Sequence, residues 1–598
     1  MTHICYMYIF DYQCLKNVGV SFDHRYNYSF DDDKMELTIS APSSNLPEIF
    51  WGSGVWSLTG IVGNNGAGKT TVNRFLLNAV VEGLTTKDIE GIYVYENKGE
   101  LYVYYNVPQN AKGVRVISPD AKIGGIKKID NGSTSLPSIE TFYYQGHFSA
   151  EFSSTDLCTT ELSGLYNASE GCLIRKDLEK FANATDLYFN GPMSSYLVSH
   201  ISQKHNRICR LLINGELRSE IHDFHFPRYI TLAPNRGGQD HLKLHPLVPE
   251  ELKSFLNGML VPLPIAGLVP TREESIGMYI YFNLLNAIAD GGAAQIDPEI
   301  LKIWRATVDT SRDVFSQFKS LIGIQKDAST KRVLDNIYCV LFDVLSDLNF
   351  SDYGFFYIDA FNEAGKVEKL LSISEKTQFF YLTSRFYDLH YSHNVNSSNS
   401  FLSSGEEESL NLFSLLYDAI ELQPLKSSDL KAPRLLILDE AEIGFHPEWQ
   451  RSYIKTLLRF VTSLKVCAGH DYQIIVTTHS PILLSDIPSC CCNFLERRAD
   501  GATYNVRDVQ PQTFATNVFE LYRNSFFLHK GLIGQYAEEK LKNLETKCKS
   551  GSKDVEAEIE LIGDGRLQQY FVSLLAKNHK VAAISYYKEQ ISRLEEGE

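Results

Sequence analysis

No window of the sequence approaches eighteen consecutive apolar residues, the length a bilayer-crossing helix needs, so a chain that threads a membrane by helices is excluded. Positive charge does not dominate either. The 57 Lys and Arg stand against 73 Asp and Glu, and a formal net charge of -16 argues against a broad nucleic-acid-binding surface while leaving room for a local one. The 11 cysteines are odd in number and irregularly placed, which does not read as a disulfide framework. Cys490-Cys491-Cys492 has no second Cys or His pair at ligand spacing, and neighbours in a strand point to opposite faces, so zinc is not expected. Heptads are nowhere sustained long enough for an extended coiled coil. Met1 to Tyr6 shows no basic region ahead of an apolar stretch. These absences lead to the expectation of a cytoplasmic protein without membrane contact. With 598 residues, 44% hydrophobic and 22% charged, it has room for three or four domain-sized units.

What is present begins with Gly63-Asn64-Asn65-Gly66-Ala67-Gly68-Lys69-Thr70, of the form G-x-x-x-x-G-K-[ST]. Such a loop wraps polyphosphate: glycines without Cβ let backbone N–H groups turn inward, and Lys69 adds positive charge. Thr70 offers a hydroxyl to Mg²⁺, and the following helix points its positive dipole end at the phosphates. Asn64, Asn65, Gly66, Ala67, Gly68, Lys69, Thr70 and Thr71 are therefore candidate cofactor-binding residues. The context agrees. Val55 to Val62 reads as a buried strand, and Thr71 to Val81 places Val72, Phe75, Leu76, Ala79 and Val80 at helical spacing.

In chain order, Tyr6–Phe10, Val18–Phe22 and Met35–Ile39 read as a β-rich edge, the last after the acidic turn Asp31-Asp32-Asp33. Gly91–Tyr95 and Leu101–Tyr105 flank the turn Asn97-Lys98-Gly99 as a hairpin. Residues 138–152 give a strand with a polar elbow at Gln145. Ser195–Asn214 reads as a helix carrying Lys204, His205, Arg207 and Arg210, with Arg218 beyond; a solvated face or a local nucleic-acid contact would both suit that cluster. A Pro-rich run at 261–264 marks a boundary, after which Arg272–Ala289, Pro298–Phe318 and Ser329–Leu348 have helical periodicity and form a short arm. Strand-like segments return at Phe355–Ile358 and Phe379–Leu382, followed by an Asn/Ser loop at 394–400.

Leu402-Ser403-Ser404-Gly405-Glu406 then opens a helix with Leu410, Phe413, Leu416 and Ile420 on one face. The apolar strand Arg434–Leu438 ends in Asp439 and Glu440. A strand of this kind carries one carboxylate (Asp439) to a Mg²⁺ shell and a second (Glu440) to polarise water. Another strand, Gln473–Thr478, ends in His479-Ser480-Pro481, and His479 is placed to sense a γ-phosphate.

Taken together, the loop at 63–70, Gln145, LSSGE at 402–406, LLILDE at 435–440, EIGFHPEWQ at 442–450 and TTHSP at 477–481 resemble the Walker A, Q-loop, signature, Walker B, D-loop and H-loop of ABC-type ATPases. DEAEIGFHPEWQ and TTHSPILLSDIP are similar to the branch of RecF, the SMC proteins, the OLD nucleases and anti-phage ATPases. The resemblance implies ATP and Mg²⁺ as cofactors, and Thr70, Gln145 and Asp439 as metal ligands. It further implies Glu440 and His479 as catalytic residues, and a head-to-head dimer in which Ser403, Ser404, Gly405 and Glu406 of one copy cap the nucleotide of the other. Ser404 stands where the common signature has glycine.

The expected fold is α/β: an ABC-ATPase-type head with a mixed sheet around a P-loop core, a β-rich N-terminal lobe, a short helical insertion arm and a C-terminal α+β tail. The expected divisions are 1–152 (lobe 1 with the P-loop), 153–265 (mixed insertion), 266–350 (helical arm), 351–495 (lobe 2) and 496–598 (docking region with a lysine-rich loop at Lys540–Lys553). Size, arm and N-terminal pattern look like the PtuA-type ATPases of Septu and retron systems. That resemblance implies a homodimer or higher homo-oligomer with a separate HNH-type nuclease subunit and, as in retron systems, room for a reverse transcriptase with its RNA/DNA product. A RecF-like ATPase clamping DNA directly is the second class. The tail offers Glu560 and Asp564 but no later Asp-x-Asp, so no nuclease of the OLD kind is expected in this chain.

Overall fold

The computed structural model describes residues 2–42, 46–81 (except 48), 90–108, 113–129, 136–147, 164–183, 194–234 (except 223), 344–377, 387–395, 401–422, 434–463, 471–506 (except 499), 512–524, 534–550 and 555–578, with isolated residues elsewhere. Strands β1 (Thr2–Tyr12), β2 (Leu15–Ser21), β3 (Asn27–Asp31), β4 (Glu36–Ser40) and β5 (Val55–Gly63) lead to helix α1 (Lys69–Val80). There follow β6 (Gly91–Asn97), β7 (Glu100–Asn106), β8 (Arg115–Ile117), β9 (Ile123–Lys128), β10 (Thr141–Gln145), β11 (Leu165–Asn167), helix α2 (Ser194–Ile213) and β12 (Tyr229–Pro234). Then come β13 (Asn349–Phe350), β14 (Phe356–Asp359), β15 (Tyr387–Ser392), helix α3 (Ser404–Tyr417), β16 (Leu435–Asp439), helix α4 (Pro447–Ser463), β17 (Tyr472–Thr478), β18 (Cys492–Arg497) and β19 (Thr503–Asn505).

Among the described residues the main sheet runs β11-β10-β16-β17-β5-β18-β19-β2-β1-β6-β7-β9. Its first six strands are parallel, and beyond β18 it turns mostly antiparallel. Composition accounts for the division. Every residue of β16 and β17 is buried, the run expected of strands covered on both faces. β6 and β7 instead meet through Lys98 and Gly99, whose φ angles of 53° and 82° make the tight hairpin turn whose twist suits antiparallel partners. Two smaller sheets, β13-β14-β12-β15 and β3-β4-β8, complete the described strands.

Helix α1 buries Val72, Phe75, Leu76, Ala79 and Val80, the face its spacing predicts, in one cluster with Ile61, Tyr93, Tyr143, Ile437 and Ile475. Each buried Val, Phe or Leu side chain of this face contributes about 1.5–3 kcal/mol, so the face fixes the height of α1 over the sheet. Glycine makes a second constraint possible. A Cβ at Gly63 would lie 2.4 Å from the carbonyl oxygen of Leu495 on the neighbouring β18, so only glycine lets β5 run that close where the phosphate loop begins.

The chain divides into two compact units, Met1–Leu521 and Tyr522–Glu598. The expected boundary at 496 falls within β18, which pairs with β5 and β19 in the main sheet. In the second unit the expected lysine-rich loop is corrected: Gln535–Ser550 is a helix. Leu544 and Cys548 form its buried side, and Lys542 and Lys549 pair with Glu538 and Glu545 one turn away, so the lysines belong to a solvated helix face. Glu560 ends a short helix, and Asp564 caps the next one by accepting from the backbone N–H groups of Arg566 and Leu567. Cys490 and Cys491 lie in a 3-10 turn ahead of β18, not in a strand. Among the described cysteines Cys172 is disulfide-bonded, and Cys5, Cys14, Cys209, Cys490, Cys491, Cys492 and Cys548 are in the thiol form. The helical arm and the Phe379–Leu382 segment lie outside the described residues, save for isolated positions of the arm and its last turn. No described helix is long and apolar enough to cross a membrane.

Gly63→Ala should destabilise the nucleotide-free chain by about 2 kcal/mol or more, because the clash is with backbone that cannot rotate away. A thermal melt should read a midpoint lower by a few degrees; an unchanged midpoint would show that β18 yields at Leu495.

Candidate functional site

The parallel ladder sets the site. Gln145 lies opposite Asp439, Asp439 opposite Thr477, and Thr477 and Thr478 opposite Ile61 and Val62, so β10, β16, β17 and β5 end at one level. The phosphate loop, Asp439-Glu440, His479 and Gln145 all leave from those ends, where open parallel sheets bind ligands. Gly66 and Gly68 have φ of 78° and 87°, and α1 starts at Gly68 with no side-chain cap, which leaves its first N–H groups open to an anion. Asn64 and Asn65 are exposed, Ala67 is buried, and Thr70 and Thr71 are half-buried at the loop's exit.

Lys69 is buried. Its Nζ donates to the Gly63 carbonyl at 3.3 Å, lies 3.4 Å from Glu440 Oε1 and touches His479 Nε2. Burial lowers its pKa, with the Glu440 charge opposing that shift. His479 Nε2 is 3.1 Å from the same Glu440 oxygen. The hydrogen bond from His479, supported by the Lys69 charge, holds the Glu440 carboxyl down at about 2. Glu440 also has a φ of 51°, uncommon outside glycine, and its N–H donates to the Thr477 carbonyl and hydroxyl at 3.1 and 3.0 Å. The chain leaving β10 passes beneath it. A Cβ at Gly146 would lie 2.1 Å from the Glu440 carbonyl oxygen, which explains a glycine directly after Gln145.

Asp439 is fully buried, and burial raises its pKa against hydrogen bonds from Thr477, Thr70 and Tyr143, the last at 3.2 Å. Gln145 is buried with its Oε1 unpaired, while its Nε2 is 3.1 Å from His147 Nε2. Thr70, Asp439 and Gln145 thus offer a hydroxyl, a carboxylate and an orphaned buried carbonyl. All are oxygen donors, as Mg²⁺ requires, and a cation would also relieve the Asp439 charge and the Gln145 oxygen.

Ser403 caps α3: its hydroxyl accepts from the Glu406 N–H at 3.4 Å, and the Glu406 carboxylate accepts from the Ser403 N–H at 2.7 Å. Ser403 and Ser404 are exposed. The position a Cβ would take at Gly405 is 2.7 Å from the Gly444 carbonyl oxygen, so this turn rests on the loop that follows Glu440. Among the described residues no hydrogen bond or ion pair joins Ser403–Glu406 to the phosphate loop. The structure thus brings together Lys69, Thr70, Gln145, Asp439, Glu440 and His479 and leaves the signature turn apart from them.

Three contributors escaped the sequence reading. His147 Nδ1 lies 3.8 Å from Glu440 Oε2. Tyr143 reaches Asp439 from inside β10, where it reads as an ordinary core tyrosine. Glu442 is buried, accepts from the Thr478 hydroxyl, and is pushed up to about 7 by burial. Its signal was present in the acidic run after Asp439, but sequence does not show that its carboxyl turns inward. Four members of the basic cluster on and just beyond α2 are engaged within the fold. Arg207 pairs with Asp177, Arg210 with Asp418 and Glu375, His205 with the Tyr391 hydroxyl, and Arg218 lies over the Phe361 ring.

Residues 312–485 match the family described as "AAA domain, putative AbiEii toxin, Type IV TA system". The match takes in the signature turn, Asp439-Glu440 and His479, and covers less than half of the chain. Joined to the loop at 63–70, the match supports a P-loop ATPase domain of the AAA type in this chain.

An acid held below its unfolded value of about 4.3 stabilises the native state above that pH and loses the contribution as pH falls towards about 2. Relative to Glu440→Gln, the wild-type chain should therefore lose stability across that window in denaturant titrations. A wild-type-to-variant difference that does not change with pH would remove the Lys69–Glu440–His479 network.

Proposed function

We propose that this chain binds MgATP and hydrolyses it as a head-to-head dimer, and that the cycle controls a separate nuclease subunit in bacterial anti-phage defence. The observation that carries the enzymatic part is the convergence of Lys69, Asp439, Glu440 and His479 at adjacent strand ends. In this structure Lys69 Nζ and His479 Nε2 both lie against Glu440 Oε1. A γ-phosphate draws the two onto its oxygens, which leaves Glu440 ionised, unpaired and facing the water it must activate. Thr70, Asp439 and Gln145 would hold Mg²⁺, which neutralises charge on the phosphates.

A dimer is supported by the signature turn. Ser403 and Ser404 sit exposed at a capped helix start with, among the described residues, no hydrogen bond or ion pair to their own phosphate loop, so a second copy is the natural source of the cap. A partner of separate chemistry is supported by what the described residues lack. The clustered arginines of α2 are spent on internal carboxylates, and Asp564 on a helix cap, which leaves the DNA-clamp alternative with less support. The description of the matched family, a toxin of a type IV TA system, also favours a two-component system.

Mixing a Lys69→Ala chain with a Ser403→Arg chain should restore a fraction of ATPase activity that neither has alone, since each composite site draws its phosphate loop from one copy and its signature from the other. No recovery on mixing would place complete sites in single chains.

The nuclease relation is tested by co-purifying the chain with the products of neighbouring genes, then assaying DNA and RNA cleavage with and without ATP. Cleavage should need the partner and respond to nucleotide. Metal-dependent cleavage by this chain alone, lost on mutating its own carboxylates, would overturn the proposal.

A further inference from the structure

Nucleotide-site residues recognised so far come from the β17 and β16 side of the phosphate loop, where the γ-phosphate end must lie if His479 and Glu440 are to reach it. The opposite flank is built by β18 and β19. β18 runs parallel to β5, with Leu495 opposite Gly63, and so reaches the level of the loop itself. Two residues further, Arg497 extends its guanidinium over the loop's apex: its Nη1 lies 3.6 Å from the position a Cβ would take at Gly66. The guanidinium is tethered through Nε, which donates to the Gly501 carbonyl at 3.3 Å across the β18–β19 turn. Among the described residues it has no carboxylate partner, although Asp500 lies in the same turn and accepts instead from the Ala502 N–H and the Tyr504 hydroxyl. Its neighbour Arg498 is stacked over the Tyr504 ring at 3.9 Å. One arginine of the pair is thus placed on an aromatic ring, and the other is held out, exposed and uncompensated, over the anion-binding loop.

An uncompensated guanidinium at an anion site has a chemical use, because its planar fork matches phosphate oxygens. The strand order says which phosphates. A nucleotide whose γ-phosphate meets His479 and Glu440 must run across the loop, away from β17, towards β18. Resting on the ATP-site reading above, we propose that Arg497 binds the phosphate chain at its α-phosphate end, as a grip common to ATP and ADP and separate from the γ-phosphate group formed by His479 and Glu440.

The test measures affinities of purified chain for MgATP, MgADP and adenosine by calorimetry. Arg497→Ala should weaken MgATP and MgADP alike by about tenfold, the scale of one charge-assisted hydrogen bond, and leave adenosine unaffected. Arg497→Lys should recover part of the loss, since charge returns without the fork. Arg498→Ala, on the same turn, should bind both nucleotides as wild type does, which controls for the hairpin's folding. Affinities for both nucleotides within twofold of wild type in Arg497→Ala would overturn the proposal. So would a loss confined to ATP, which would move Arg497 to the γ end, or an equal loss in Arg498→Ala. A wild-type chain that binds neither nucleotide would instead remove the ATP-site reading, an outcome distinct from a wild type that binds and an Arg497→Ala chain that binds as well.

Discussion

Every functional distance in this molecule is set by one ladder level, at which Gln145, Asp439, Thr477 and Ile61 stand side by side on four parallel strands. β16 and β17 are buried on both faces, and α1 presses five apolar side chains onto the cluster that contains Ile61, Ile437 and Ile475. A slip of one residue in any of these strands would exchange its faces and move its terminal group by about 3.3 Å, beyond hydrogen-bond reach of its neighbours. Packing of the apolar core and alignment of the charged groups are therefore the same constraint.

That alignment places three carboxylates within four residues in three different environments. Asp439 is closed in and raised, Glu440 is drawn down to about 2 by His479 and Lys69, and Glu442 is pushed up to about 7. Groups whose surroundings drive their acidities apart are suited to different tasks. Glu440, held at about 2, remains an anion under all ordinary conditions, as the proposed base must. Asp439 is buried where burial works against its charged form, and a cation beside it would relieve that cost, as the proposed metal-ligand role requires. Glu442 retains an unpaired buried oxygen and can hold Thr478 in either protonation state, so it acts on the His479 strand as a fastening.

Much of this was legible in residues alone, and the reason differs from element to element. The phosphate loop, the apolar face of α1, and the strands ending at Gln145, Asp439 and Thr478 follow from local pattern, because loop glycines, 3.6-residue spacing and uniform apolar runs each have one economical structure. The order of strands does not follow from pattern. Nothing in the sequence states that β17, 38 positions beyond Asp439 at Thr477, inserts between β16 and β5, since that pairing is decided by which buried faces fit. The α2 arginines misled for the same reason: Arg207 and Arg210 look like a basic patch until Asp177, Asp418 and Glu375 are folded against them. The lysine-rich stretch Lys540–Lys553 reads by composition as a loop, whereas Leu544 and Cys548, four residues apart, mark a helix face within Gln535–Ser550.

The signature turn shows how the two halves of the proposed cycle are tied in one chain. Glu440 is followed by a hydrogen-bonded turn, with the Ile443 N–H donating to the Glu440 carbonyl at 3.2 Å and the Phe445 N–H to the Glu442 carbonyl at 3.0 Å. Gly444 of that turn supports Gly405, one residue from the exposed Ser404. Only the turn separates the residue that would meet the γ-phosphate from the surface that a second copy would meet. The Glu440 backbone, at a φ of 51°, is held by its N–H bonds to Thr477 and by the Ile443 N–H, while its carboxylate meets Lys69 and His479. A nucleotide that takes both contacts away changes the forces on Glu440 and on the base of the turn together. The population of the Ser403 surface can then shift by as much as the nucleotide's affinities for the two arrangements differ, and by no more.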